Sequence, residues 1–227
     1  MNYRHVVVRR VNRIKNNIRS LFAQHGLPLP RGRQVWSREG VSQLAERSQS
    51  LTECADDALW RGELDMELSQ LNHLREQHKE QEKRLRSWAS RDWRVPLRCT
   101  IPGVGRPTAE VIVAYVDDPH RFQSAAQISS YAGLVPRRYQ SGEMDRHGRI
   151  HKRGPRLLRP ALVEAAWMTL RYNPWARDVY ARICSHHKTR RKKAIVAVAR
   201  KLLVRCWIML KRRGAWRPEA SQPAIAS

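Results

Sequence analysis

A run without proline, from Ala58 to Trp88, constrains the fold more than any other part of the chain. One side of the run carries a seven-residue repeat, namely Leu64, Leu71, His78 and Leu85, with Leu68, Leu74 and Trp88 partly filling a second seam position. This spacing predicts one long helix with an apolar stripe. The stripe fits a coiled coil between copies and also fits a helical hairpin within the chain. The polar residues His78 and Gln81 interrupt it, so both alternatives stay open.

The segments before this run predict a basic N-terminal helix followed by a connector. Apolar residues recur at helical spacing from Val7 to Phe22, and the other face carries Arg, Lys and Asn. Gly26 ends this helix. We therefore divide the first part into residues 1–35, a basic helix with a Pro/Gly-rich connector, and residues 36–95, a helical coiled-coil segment. The basic face fits nucleic-acid contact and equally fits a solvated surface.

The turn IPGVG, residues 101–105, opens a third segment that we place at residues 96–213. Its two glycines predict a tight turn with outward-facing backbone N–H groups. Pro107 suits the start of the next helix, because proline lacks the donor that would have no partner there. A helix N-terminus favours anions, and a phosphate is the obvious one. The residues predicted to contact nucleic acid here are Gly103, Gly105, Arg106 and Thr108.

The rest of this segment predicts further helices around one basic loop. The helices are expected up to about Tyr115 and at residues 125–131, 155–170, 175–185 and 193–212, with a loop or small hairpin at 135–154. Residues 214–227 are expected to form a disordered tail. The predicted fold class is mainly α: a long helical or coiled-coil segment, then a compact helical domain with a helix-hairpin-helix-like turn.

The charge of the chain predicts a polyanionic partner. Forty-four Lys+Arg against 20 Asp+Glu give a formal net charge of +24, so DNA or RNA should bind and salt should weaken binding steeply. An apolar run long enough to span a membrane and a signal peptide are both lacking, which predicts a cytoplasmic, nucleoid-associated protein without a membrane partner. The cysteines, Cys54, Cys99, Cys184 and Cys206, show no Cys-x-x-Cys pair, which indicates free thiols.

Ser141 lies in a loop crowded with cations. The basic residues around it are Arg137, Arg138, Arg146, Arg149, Lys152 and Arg153, with His147 and His151 interleaved. We predict that Arg137, Arg138, Arg149, Lys152 and Arg153 contact DNA. A serine that attacks phosphorus needs a proton acceptor and cations near the equatorial oxygens, and the two histidines and the arginines could fill these roles. Ser-Gly is also ordinary turn chemistry, so these residues alone leave a nucleophile and a turn as alternatives.

Three phrases occur in a fixed order along this region. They are IPGVG followed by TA, RFQSAAQISSYAGLVPRRYQSG from Arg121 to Gly142, and GRIHKRGPRLLRPAL from Gly148 to Leu162. Each phrase alone carries little weight, but together they match in order and spacing. Through them the chain resembles the C-terminal part of the IS110/IS1111 family of bacterial insertion-sequence transposases.

The resemblance implies an enzyme of DNA transposition in which Ser141 is the catalytic residue, because it matches the serine that forms a covalent link to DNA. It also implies homo-oligomers through the coiled-coil segment and a structured guide RNA as a partner. Members of this family carry, ahead of that segment, a RuvC-like domain whose four acidic residues hold Mg²⁺. This chain starts at the helix after that domain, so we expect no cofactor or metal site within it. His151 replaces a serine that is common in relatives, which puts a hydroxyl role there in doubt.

Other clusters have simpler explanations. The adjacent pairs Asp56/Asp57 and Asp117/Asp118 are predicted to be helix caps and solvated turns rather than a metal site. Cys184, His186 and His187 lack a second ligand pair at zinc-finger spacing and predict a helix end. The run KTRRKK, residues 188–193, fits a phosphate grip and a solvated linker equally well. The tryptophans, among them Trp93, Trp167, Trp175 and Trp207, are predicted to lie mostly in the core.

Three functional hypotheses follow from these patterns. The first is a serine-dependent transposase, which is N-terminally truncated relative to its family. The second is a DNA- or RNA-binding module without catalysis, and the third is a general basic RNA-binding protein. A covalent protein–DNA adduct that depends on Ser141 would separate the first from the others.

Overall fold

The computed structural model describes residues 2–141, 144–150, 153–185 and 187–217, and it describes only the backbone of 138–141, 144–147 and 149. The described part is mainly helical, as predicted, with one two-stranded sheet. The chain forms two compact units, residues 1–86 and residues 87 onward. No described helix is both long and apolar enough to cross a membrane.

Three helices build the first unit: α1 (Asn2–Gln24), α2 (Arg38–Ala45) and α3 (Leu59–Arg91), of which α3 continues beyond it. Gly26, two residues after the last residue of α1, takes a positive φ of 63°, which glycine adopts without steric cost. Ser37 caps α2 by accepting a hydrogen bond from the Gly40 N–H at 3.1 Å. The predicted long helix and the predicted basic N-terminal helix are therefore both present.

The apolar stripe of α3 packs against α1 of the same chain. Arg4 pairs with Glu82 at 3.3 Å and Asn17 donates to Glu67 at 2.8 Å, so the two helices run antiparallel. The buried residues of this hairpin are Val7, Ile14, Ile18, Leu21 and Phe22 on α1 and Leu64, Leu68, Leu71 and Leu74 on α3. The helical hairpin within the chain thus buries the first half of the seven-residue repeat, Leu64 and Leu71. Oligomerisation through this segment stays a prediction.

The second unit gathers its helices around the last one. Its elements are α4 (Arg94–Cys99), α5 (Arg106–Val116), α6 (Ala125–Tyr131), β1 (Pro136–Ser141), β2 (Met144–Ile150), α7 (Leu158–Tyr172), α8 (Pro174–Cys184) and α9 (Arg191–Arg212). Helix α9 contacts α4, α5, α6, α7 and α8. Leu202 and Leu203 of α9 are fully buried, as are Leu158 and Leu162 of α7. The apolar face of α9 is therefore the centre of this core.

The prediction that the tryptophans fill the core is wrong for two of the four named. Trp175 and Trp207 are buried, but Trp93 is 48% exposed and Trp167 is 47% exposed. Trp93 precedes the first residue of α4 rather than lying on a helix face. Trp167 follows the buried Ala166 by one position, which turns it about 100° away from the core side of α7.

Candidate nucleic-acid interface

The turn between α4 and α5 is anchored in the core and pressed against α7. Ile101 and Val104 are buried, and the Val104 N–H donates to the Ile101 carbonyl at 3.0 Å. Gly103 has a φ of 94°, and a Cβ at this position would lie 2.6 Å from Thr169 Cα and 2.7 Å from its nitrogen. Only glycine fits both this backbone conformation and this approach. The helix-hairpin-helix-like turn is thus held by one glycine.

The N-terminus of α5 is exposed beside this turn. Gly105 occupies the N-cap position without a side-chain cap, and α5 begins at Arg106, so Pro107 is its second residue. Within the described residues, the N–H groups of Gly105 and Thr108 have no backbone acceptor. Such donors, together with the positive end of the helix dipole, favour an anion. Gly105 itself has open space around it, since an added Cβ would lie 3.7 Å from its nearest neighbour, the Pro107 Cδ.

Arg106 differs from the other predicted contacts because it lies beside a buried carboxylate. Its Nε lies 3.4 Å from Oε1 of Glu110, whose side chain is fully buried. A buried carboxylate needs such compensation. The charge of Arg106 therefore partly neutralises Glu110, and the positive field at this turn comes largely from the helix end.

The basic loop is an antiparallel hairpin of β1 and β2. Ser141 pairs with Met144, and Arg138 pairs with His147, three pairs further along. At about 3.3 Å per residue this separation is roughly 10 Å, so the register does not bring His147 beside Ser141. Arg149 lies on β2, whereas Lys152 and His151 lie outside the described residues.

Gly154 fixes the base of the hairpin where it returns to the domain. It has a φ of 113°, and a Cβ there would lie 2.1 Å from the Tyr131 carbonyl oxygen. Tyr131 is itself held, because its hydroxyl donates to the Tyr115 carbonyl at 3.1 Å. Arg137 and Arg153 are exposed near the two ends of the hairpin base. These contacts tie the serine-bearing strands to α6 at their base.

The turn and the hairpin lie at opposite ends of α7. Gly103 packs at Thr169, near the C-terminus of α7, and the hairpin leads into Leu158, its first residue. Eleven helical steps (169 − 158) span roughly 16 Å. At 3.4 Å per base-pair step, this distance corresponds to about five steps of duplex DNA. The two predicted phosphate contacts are thus separate sites rather than one cluster.

A buried arginine beneath the turn was missed at the sequence level. Arg98 of α4 is fully buried and donates from Nη1 to the Arg94 carbonyl, while its Nε and Nη2 have no acceptor among the described residues. Burial lowers the pKa of Arg98 to about 10, so it stays charged at neutral pH. Burial likewise raises the pKa of the nearby Cys206 thiol to about 11. A single arginine between Leu97 and Cys99 belongs to no repeating apolar pattern, so the sequence does not indicate that it is buried.

The acidic pair after α5 serves the fold. Asp118 accepts a hydrogen bond from the His120 N–H at 2.9 Å, which caps a short turn. Asp117 pairs with Arg94 at 3.0 Å, and Arg94 also pairs with Asp92 at 2.8 Å. The hydrogen bonds from Arg94 lower the pKa of Asp92. Among the described residues, no group of three or more His, Cys, Asp or Glu side chains could hold a metal ion.

The run from Lys188 to Lys193 is exposed and structured. Lys188–Arg190 form a short 3-10 turn, and Arg191 begins α9. Three cations in the first turn of a helix are unfavourable next to the positive end of its dipole. A bound phosphate would relieve this repulsion, which favours the phosphate-grip interpretation. His186, part of the neighbouring Cys/His group, lies outside the described residues.

Comparison with known proteins places these features in a family. The model of the family described as Transposase IS116/IS110/IS902 matches residues 97–181. The chain is 30% identical over 204 residues to the transposase for insertion sequence element IS1111A of Coxiella burnetii, which covers 89% of this chain and 55% of that protein. It is 29% identical over 215 residues to a probable family 20 transposase of Pseudomonas aeruginosa, covering 93% and 62%.

A third relative is named for gene inversion. The pilin gene-inverting protein of Moraxella lacunata is 34% identical over 122 residues, covering 53% of this chain and 38% of that protein. The chain spans about three-fifths of the length of the Coxiella burnetii and Pseudomonas aeruginosa relatives. The matched residues 97–181 hold the turn on α5, both strands of the hairpin and α7, and this segment belongs to the IS110/IS1111 family of transposases.

Proposed function

We propose that this chain acts in DNA transposition, breaking and rejoining DNA with Ser141 as the nucleophile. The observation that carries the proposal is the position of Ser141, in the last described pair of a hairpin anchored at Gly154, inside the segment that matches the transposase family. The pilin gene-inverting relative supports DNA rearrangement as the general reaction.

The proposed step is a transesterification. The Ser141 oxygen attacks a backbone phosphorus, a new phosphorus–oxygen bond forms, and one bond to a deoxyribose oxygen breaks. The proton leaves the serine for a base, and the departing deoxyribose oxygen takes up a proton. In rejoining, a DNA hydroxyl attacks the same phosphorus and releases the serine. The exposed Arg137 and Arg153 at the hairpin base supply charge for the DNA backbone.

The proposed DNA contact has two parts. The N-terminus of α5 would hold one phosphate through the N–H groups of Gly105 and Thr108. Arg137 and Arg153 would hold the backbone at the hairpin base, roughly 16 Å away along α7, and Ser141 lies four residues further along β1 from Arg137. Within the part of the chain that the structure describes, no group of three or more His, Cys, Asp or Glu side chains could hold a divalent metal. We therefore propose that any Mg²⁺ is held elsewhere, and we route no step through it.

Detection of the covalent intermediate tests this proposal. The full chain is incubated with an end-labelled duplex taken from the DNA that flanks its gene, with Mg²⁺, and then denatured in detergent. A protease-sensitive retarded band is expected, and Ser141→Ala should abolish it. Ser130→Ala is the matched control, because Ser130 is an exposed serine on α6 outside the hairpin. An adduct that survives Ser141→Ala contradicts the proposed nucleophile.

A binding module without catalysis is the second candidate function. It is favoured by the separation of the two predicted phosphate contacts along α7. Salt-sensitive duplex binding without an adduct from the wild-type chain, even beside a carboxylate-bearing partner domain, would support it. A structured guide RNA and homo-oligomers are proposed for both candidates, on family membership.

A further inference from the structure

A cavity in the second unit lies where the end of α3, the start of α4 and the end of α9 meet. Its volume is about 560 Å³, and its lining includes Trp88, Arg91, Trp93, His120, Lys211 and Arg213. We call it the Trp93 pocket. It belongs neither to the α5 turn nor to the hairpin, and all of its lining residues lie in the second unit. A volume of this size can accept a group as large as a nucleobase.

Two indoles of this pocket are left in contact with solvent. Trp93 is 48% exposed and Trp88 is 38% exposed, whereas Trp207 of the same unit is buried. Exposed indole surface forgoes the stabilisation that burial would give. Two such side chains at one cavity therefore suggest a ligand that covers them when bound.

Within the described part of the chain, no ion pair neutralises the cations of the pocket. Arg91 donates to the Ser87 hydroxyl at 3.1 Å, and the Lys211 ammonium lies 4.3 Å from the centre of the Trp207 ring. Among the described residues, Arg91, Lys211 and Arg213 have no carboxylate partner. The guanidinium carbon of Arg213 lies 5.5 Å from the Trp93 ring, so charge and indole surface are adjacent. The three carboxylates at the pocket are already engaged. Asp92 and Asp117 share Arg94, and Asp118 caps the turn at His120.

This combination of exposed aromatic faces and adjacent cations is the chemistry of single-strand recognition. Bases that are free of a duplex stack on aromatic side chains, and cations beside them hold the backbone. Bases in an intact duplex cannot reach such a pocket, because both of their faces are stacked. An acidic peptide would match the cations but would leave the indole faces uncovered.

We propose that the Trp93 pocket binds an unpaired nucleotide of a single-stranded nucleic acid, with its base stacked on Trp93 and its phosphates beside Arg91, Lys211 and Arg213. The inference rests on the proposed action on nucleic acid and adds a ligand class to it. Single-stranded DNA at a broken end and unpaired RNA share this chemistry. They differ in the 2′-hydroxyl, which the test separates.

Binding of short labelled oligonucleotides to the full chain tests the proposal. Fluorescence anisotropy is measured with oligo-dT, with oligo-U and with a duplex of the same length, for the wild type, Trp93→Ala and Trp93→Phe. Trp167→Ala is the matched control, because Trp167 is equally exposed but lies on α7, outside the pocket. Thermal denaturation of each variant checks that the fold is kept.

We expect Trp93→Ala to weaken binding of at least one single strand by about fivefold or more, as loss of one stacked base requires. Duplex binding should change by less than about twofold, and Trp93→Phe should keep most single-strand affinity, since phenylalanine still stacks. Arg91→Ala should lower the salt slope for the single strand by about 0.7, one phosphate contact. The more affected of oligo-dT and oligo-U identifies the strand that the pocket holds.

Two results would overturn the inference. One is that Trp93→Ala and Trp167→Ala bind the single-stranded oligonucleotides with equal affinity. The exposed indole of Trp93 would then serve a protein partner instead. The other is an equal loss for duplex and single strand in Trp93→Ala, which would indicate a general electrostatic surface. Failure of the proposed function is distinguishable, because a wild-type chain without duplex binding or adduct could still show the Trp93-dependent single-strand binding.

Discussion

Replacing Gly103 by alanine should destabilise the second unit through a single added methyl group. The new Cβ would lie 2.6 Å from Thr169 Cα, a backbone atom that cannot rotate away. Overpacking of this kind costs about 1–3 kcal/mol. A positive φ adds about 1–2 kcal/mol for any residue with a Cβ. The expected loss is therefore about 2–5 kcal/mol, a large fraction of the roughly 5–15 kcal/mol that stabilises a typical domain.

Gly105→Ala is the matched control two residues away. Its φ of −81° suits alanine, and its nearest neighbour would lie 3.7 Å from the new Cβ. The lower entropy of the unfolded chain stabilises the variant by about 0.4–1 kcal/mol, and the weaker N-cap acts in the opposite direction. The net change should be within about 1 kcal/mol of zero.

Urea denaturation followed by circular dichroism measures the free energy of unfolding of both variants. Because the chain has two units, hydrogen exchange should be measured as well, to show which unit loses stability. Protection is expected to fall in α5 and α7 of Gly103→Ala and to stay unchanged in α1 and the first half of α3. If Gly103→Ala and Gly105→Ala differ by less than about 0.5 kcal/mol, the close packing of the turn on α7 is not what holds it.

Two further predictions concern charge. Arg137→Ala and Arg153→Ala should each lower the salt slope for duplex binding by about 0.9, measured by anisotropy between low and moderate salt, and an unchanged slope would remove that residue from the interface. Arg94 lowers the pKa of Asp92, so this carboxylate stabilises the fold above its unfolded pKa, and that stability is lost as the pH falls through the lower folded pKa. Arg94→Met should therefore reduce the stability difference between neutral and acid pH in urea titrations, and an unchanged difference would contradict the pairing.

Periodic and capping signals made much of this fold predictable. Helix α6 spans Ala125–Tyr131 as predicted, because Ser124 caps it and Gly133 ends it with a positive φ of 66°. The partner of an apolar stripe was not predictable in the same way. Leu64 and Leu71 look the same whether α1 or another copy covers them, since a heptad specifies a stripe but not its partner.

Residues outside a periodic pattern carried the least information. Arg98 and Glu110 are fully buried charges, and their sequence neighbours give no sign that α9 and Arg106 enclose them. The exposure of Trp93 depends on where α3 ends and α4 begins, which composition does not determine. Near the candidate site, spacing predicted the turn, and the structure forms the hairpin that was one of two alternatives for residues 135–154. Spacing did not predict that they would lie at opposite ends of α7.

This separation assigns different consequences to mutations at the two ends of α7. Gly103 at Thr169 sets the position of the α5 N-terminus, whereas Gly154 at Tyr131 sets the hairpin that carries Ser141. A substitution at the turn that keeps the fold should lower the affinity for DNA, because the α5 N-terminus would bind its phosphate less well. The rate at which bound DNA is cleaved should not change. A change at the hairpin base should misplace the nucleophile, because displacements of about 1 Å are enough to slow an in-line attack by about a hundredfold. In the proposed function, α7 is therefore a spacer that keeps the phosphate-binding end apart from the end that carries Ser141.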